Sequence, residues 1–159
     1  MQDRVEGKDY PRACGIHAAL GPQPVAHPLL LDTQVLLDLW LFEDPRVQRL
    51  GQILPALDWV GTAAMVAEWH YMMRRGIGSR PGREPGGLPQ PRLLPPPDNP
   101  SPWRCRDPDD QMFLDLAHAL RPCSLWSRDK ALLAHRKRAK LLSVWIETPE
   151  AALARLSGA

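Results

Sequence analysis

Cysteine, tyrosine and phenylalanine are scarce in this chain, at three, two and two of 159 residues, and its charges nearly cancel at +2. Cys14, Cys105 and Cys123 form neither a CxxC pair nor an even set. That argues against a disulfide-stapled domain and a thiol redox motif, and reduced thiols are the expectation. No His/Cys group stands at zinc-ligand spacing. No apolar run reaches the length of a bilayer span. The opening MQDRVEGKDYPRACG lacks the apolar centre of a secretion signal. A cytoplasmic protein without a membrane partner is expected. The small net charge gives no global case for a nucleic-acid partner, so any such case rests on local charge.

Proline and tryptophan are plentiful instead, at 18 and 6, and the 44% of apolar residues suffices for one real core. Residues 1–24 carry Pro and Gly without apolar periodicity and are expected to be a disordered tail ahead of a domain over 25–157. Val25–Leu31 reads as a strand buried on both faces. Asp32 ends it, and Thr33 caps a helix with Val35, Leu36, Leu39 and Trp40 at helical spacing. A helix around Val47–Leu54 and a strand over Leu57–Val60 follow. Next comes a helix Ala63–Arg75, capped by Thr62, with a buried stripe of Met65, Val66, Trp69, Met72 and Met73. The prolines crowding 76–104 exclude a helix or a central strand, so this segment is expected to be a long loop. Asp110 then opens a helix to Leu120, Cys123–Trp126 is a strand, and Asp129 opens a helix that runs on through Leu132–Arg138. Leu141–Ile146 reads as a strand, and Pro149–Leu156 as a closing helix capped by Thr148. The alternation gives an α/β fold with a central, mostly parallel sheet flanked by helices.

Asp32 and Asp129 fall at the carboxyl edge of such a sheet, where ligands of open α/β folds bind. The helices carrying Glu68 and Asp110 lead to the same edge. Carboxylates crowded together repel one another and take up protons. A divalent cation removes the conflict, and oxygen ligands favour Mg²⁺ or Mn²⁺. Such an ion activates a water against a phosphodiester and needs no side-chain nucleophile. Taken singly, Asp32 and Asp129 are ordinary helix-start acids, and Asp107 and Asp109 are ordinary capping and turn residues. The set, in this order, is what points to a metal.

Other residues carry weaker signals. Asp38, Asp44 and Asp115 are expected in solvent, and His70 and His118 on the surface. The run His135, Arg136, Lys137, Arg138, Lys140 is placed near a helix end, where cations suit the dipole, as a solvated face. A phosphate-contacting patch, extended by Arg74, Arg75, Arg80 and Arg83, is the alternative. Trp40, Trp69, Trp126 and Trp145 fit a core or an interface, whereas Trp103 is open to stacking on a base. Leu37, Leu41 and Phe42 offer an apolar face to a second copy.

LLLDTQVLLDLW resembles the opening strand and helix of PIN-domain ribonucleases, which usually read D-[ST]-N-hydrophobic. RDPDDQMFLDLAHAL and LWSRDKALL resemble the later motifs of that family, an acidic helical block and a [ST]-x-D. The likeness is closest to the VapC-like toxins of type II toxin–antitoxin pairs and covers about Leu29 to Leu156. It implies a PIN-like fold, one or two Mg²⁺ or Mn²⁺ ions and endonucleolytic cleavage of single-stranded RNA. It also implies an antitoxin protein as partner and a homodimer. Carried over, Asp32, Glu68, Asp110 and Asp129 are the metal-binding and catalytic acids, with Asp107 and Asp109 sharing or replacing the role of Asp110. Ser127 stands where a hydroxyl supports the last acid, and Thr33 and Gln34 follow the first. Gln34 replaces the usual Asn, and the Pro/Gly loop replaces helical material. Those departures leave a second reading, a catalytically inactive PIN-like module that binds RNA or protein.

Overall fold

Leu29, Leu30 and Leu31 are apolar without a break because both faces of their strand are covered, as parallel sheets require. The computed structural model describes residues 27–158, so the expected tail and the start of the first strand at Val25 lie outside the described residues. Strand β1 (Leu29–Leu31) pairs in parallel with β4 (Cys123–Trp126), which pairs in parallel with β5 (Val144–Glu147). The register sets Leu30 against Leu125 and Leu125 against Ile146. On the other side, β2 (Val60–Gly61) pairs in parallel with β3 (Arg92–Leu93). One parallel bridge, Leu29 to Trp59, joins the two groups, and the strands therefore run 3-2-1-4-5. The expected parallel-sheet α/β architecture is present.

Two apolar layers enclose the sheet. Leu29, Leu31 and Trp126 point to a face covered by α1 (Thr33–Trp40), α2 (Gln48–Ile53), α3 (Ala63–Arg75) and α7 (Pro149–Ser157). Leu30, Leu125, Val144 and Ile146 point to the other face, under α4 (Gln111–Ala119), α5 (Lys130–Leu133) and α6 (Arg136–Leu141). Trp40, Trp59 and Trp69 pack ring on ring in the first layer, with centroids 5.5–6.1 Å apart. The caps are local and match the sequence: the side chains of Thr62, Asp129 and Thr148 accept the amides of Met65, Ala131 and Ala151.

The structure corrects several expectations. The 76–104 segment is not structureless, because it contributes a 3-10 turn at Pro85–Gly87 and the edge strand β3. It is tied to the end of α3 by the Arg83 amide on the Met73 carbonyl, 2.7 Å, and by the Arg74–Glu84 ion pair. Gly82 permits this approach, since a Cβ there would lie 1.9 Å from the Arg74 carbonyl oxygen. The expected strand Leu141–Ile146 begins only at Val144, because α6 runs to Leu141, whose side chain is 84% exposed. The helix after Asp129 breaks at Ala134 and His135, so Arg136 and Lys137 open a helix rather than close one. Asp38 and Asp115 are not in solvent: Asp38 is buried against Arg128, and Asp115 accepts the Ser101 amide and the Gln111 side chain. Asp44 is half-buried and paired with Arg46. Trp103 is buried against the edge of the His118 ring and has no face free for a base. Leu37 and Leu41 are buried and Phe42 half-buried, which removes the apolar face offered to a second copy.

Candidate functional site

The strand order reverses between β1 and β4, and both strands run toward the same edge. Whatever follows them in the chain therefore meets there, at the switch point where open α/β sheets bind ligands. Asp32 follows β1, and Ser127 and Asp129 follow β4. The turn at Pro108–Asp110 and the start of α4 bring Asp107 and Asp110 to the same place.

Three carboxylates converge most closely. One oxygen each from Asp107, Asp110 and Asp129 lies within 4.8 Å of the others. Asp107 and Asp129 are held by the backbone around them: Asp107 accepts the Asp109 amide at 3.0 Å, and Asp129 accepts the Ala131 amide at 2.8 Å. Each acid thus keeps an orientation that does not depend on its neighbours. Asp110 and Asp129 are within hydrogen-bond reach of each other. Burial, then the Asp129 contact and the charges of Asp32, Asp129 and Asp107, push the Asp110 carboxyl up to about 8. Asp129 moves the opposite way, lowered first by that contact. Asp110 therefore carries a proton at neutral pH and gives it in a hydrogen bond to the Asp129 carboxylate.

Asp32 stands behind this trio and is only 5% exposed. Ser127, fully buried, donates its hydroxyl to Asp32 Oδ2 at 2.6 Å and accepts the Asp129 amide at 2.9 Å. One hydroxyl so couples the end of β1 to the turn after β4. Burial raises the Asp32 carboxyl above the ordinary range and the charge of Asp129 adds to this, while Ser127 and the amides of Gln34 and Thr33 oppose it. Glu68 projects from α3 and is raised by burial and by the charges of Asp32, Asp109 and Asp107. Its carboxylate faces the Thr33 hydroxyl, which is buried without a partner at hydrogen-bond length. Asp109 is exposed at the rim. Gln34 is turned away: its amide donates to Asp38 Oδ1 at 2.9 Å, one helical turn along.

The structure thus brings Asp107, Asp110 and Asp129 together, with the charge of Asp32 acting on Asp110 and the charges of Asp32, Asp107 and Asp109 acting on Glu68, while Asp109 itself is exposed and Gln34 is turned away. Two neighbours had no sequence signal. Arg128, between Ser127 and Asp129, pairs with Asp38 and Glu150 and lies 3.3 Å from Asp44, clamping the turn to α1 and α7. Cys105 sits half-buried near the trio, and burial, with the charges of Asp110, Asp129 and Asp107, raises its thiol. Only the tertiary contacts reveal either.

Five acids around one edge are a donor set suited to a hard divalent cation. They are all oxygen ligands, they repel one another, and a proton now fills the role a cation would take. Among known proteins, the family model described as the PIN domain matches residues 28–131, more than half of the chain. No curated protein and no solved structure matches. Every acid of the trio, together with Asp32 and Glu68, lies inside the matched span.

Proposed function

The chain belongs to the PIN domain family, and from that premise we propose that it is a divalent-metal-dependent endoribonuclease of single-stranded RNA, the toxin of a toxin–antitoxin pair. PIN domains are generally nucleases, and the fold here is of that type. The observation that carries the reading is the meeting of Asp107, Asp110 and Asp129 at the switch point, with a proton held where charge is in excess. The toxin role rests on the likeness of RDPDDQMFLDLAHAL and LWSRDKALL to that subgroup.

Asp107, Asp110 and Asp129 would hold the cation, with Asp32 and Glu68 facing it from β1 and α3. Mg²⁺ or Mn²⁺ bound there would neutralise the acids, polarise the scissile phosphate and lower the pKa of a water so that its deprotonated, nucleophilic form is available at neutral pH. The chain itself supplies orientation. Ser127 fixes one oxygen of Asp32 and the amide of Asp129, so two acids from distant parts of the sequence move as one unit. To hold a cation there, Asp110 would have to give up its proton. Among the described residues near the acids, no side chain competes as nucleophile: the Ser127 hydroxyl is fully buried and committed to both neighbours, and burial, with the nearby acids, raises the Cys105 thiol and disfavours its thiolate. Water is left as the attacking group, so no covalent intermediate with the protein forms.

The test is incubation of the purified protein with mixed single-stranded RNA and Mn²⁺, Mg²⁺ or EDTA, beside Asp129→Asn. Cleavage that needs metal and is lost in the variant supports the assignment. Equal cleavage by the variant removes Asp129 from it. No cleavage, with no rise in melting temperature on adding Mn²⁺, favours the inactive binding module, a reading to which the turned-away Gln34 gives some support.

A further inference from the structure

The acidic edge repels the polyanion that the nuclease reading brings to it, so positive charge must stand close by. The ion pairs sort the candidates. Among the described residues, Arg46, Arg74, Arg92, Arg128 and Arg155 are each paired with an acid. Between Lys130 and Leu142 the chain carries Lys130, Arg136, Lys137, Arg138 and Lys140 and no acid. All five are exposed, and none forms an ion pair with a described residue.

Three of them line one groove. Lys130, Arg136 and Lys137, with Leu133 and Ala134 between them, border a shallow, open groove of about 390 Å³ between α5 and α6. The groove starts one residue from the acidic trio, since Lys130 follows Asp129 directly and α5 is a single turn. Arg106 also lies close enough to Asp129 for its charge to act there. The local structure gives these charges no internal partner: Arg136 and Lys137 occupy the first turn of α6, where the helix dipole disfavours cations. Crowded like charges at the unfavourable end of a helix destabilise the free protein, and an anion in the groove relieves that cost.

We propose that this groove seats the sugar–phosphate backbone of the single-stranded RNA that reaches the acidic site, a proposal that rests on the nuclease reading above. No aromatic ring lines it, so it contacts phosphates without stacking bases and adds affinity without sequence preference. Arg74 and Arg83 are not part of it, being committed to Glu84 and to the Trp40 carbonyl.

The experiment is binding of the full chain to a labelled mixed-sequence single strand in EDTA, over a range of salt. The triple variant Lys130→Gln, Arg136→Gln, Lys137→Gln is compared with wild type and with Arg49→Gln, Arg121→Gln, Arg155→Gln, which removes equal charge elsewhere. Single-stranded contacts contribute about 0.7 each to the slope of log K against log salt. The groove variant should lose about 2 from that slope and about 100-fold in affinity near 0.1 M salt, and the control little of either. Its melting temperature should be unchanged or slightly higher, which excludes unfolding as the cause. If wild type cuts RNA but the groove variant binds with unchanged slope and affinity, the groove proposal fails and the nuclease reading stands. If wild type neither binds nor cuts RNA, both fail. Binding of polyglutamate that disappears in the triple variant would then make the groove a site for an acidic protein.

Discussion

Replacing Ser127 with Ala removes one oxygen atom and should damage the site out of proportion to its size. The hydroxyl is fully buried and serves two groups at once, donating to the Asp32 carboxylate at 2.6 Å and accepting the Asp129 amide at 2.9 Å. A hydrogen bond to a charged, buried group contributes roughly 1.5–3 kcal/mol and a neutral one about 1 kcal/mol, so the loss should come to about 3 kcal/mol. For a domain of this size that is a fall of about 10 °C in melting temperature. The pH dependence makes the argument specific. Asp32 has a raised carboxyl in the folded chain, so its contribution favours folding at low pH and is lost as pH rises from the unfolded carboxylate value through the folded one. Ser127 limits that rise by stabilising the charged form. Without it the shift grows, and the loss at high pH grows with it. Urea denaturation in EDTA should therefore show a wider gap between variant and wild type at pH 8 than at pH 4, because the charged form that Ser127 favours is the more populated at the higher pH. A gap that is the same at both pH values would refute the coupling of Ser127 to the charge of Asp32. A stable Ser127→Ala protein at pH 8 would refute the magnitude.

Two further perturbations probe the same edge. In the metal-free protein Asp110 is held near 8, well above its unfolded value of 3.8, so stability should decline as pH rises between those values. Mn²⁺ binding should release close to one proton at pH 7, and its affinity should rise with pH until about 8. Calorimetry in buffers of different ionisation enthalpy measures the proton count, and no release would remove the shared proton from the site. Arg128→Met keeps the aliphatic stem but leaves the buried Asp38 without its cation. Because the Arg128 side chain retains 20% exposure, the expected loss is about 2 kcal/mol rather than the 3–5 kcal/mol of a fully buried pair. Adding Asp38→Asn should recover part of it in a double-mutant cycle, and strictly additive losses would show that the two side chains are not coupled.

Much of this architecture was legible because its causes are local. The apolar run Leu29–Leu31 demands cover on both faces, and Thr62, Asp129 and Thr148 sit where their oxygens meet free helix-start amides. Such features depend on residues a few positions apart, so the sequence alone determined the parallel α/β plan, the helix starts capped by Thr62, Asp129 and Thr148, and the order of the acids. Which acids meet was a different matter. Asp107 joins Asp110 and Asp129 through the turn at Pro108–Asp110, while Asp32, 95 residues from Ser127, is drawn behind them by that hydroxyl. Arg128 turns Asp38 and Glu150 from surface charges into a clamp, and the break at Ala134 and His135 sets cations at a helix start beside the acidic edge. Burial of Trp103 and Leu37 likewise follows from which element lies over them. Contacts between distant residues depend on how whole elements pack, and no local pattern encodes them. Only the tertiary structure could decide them.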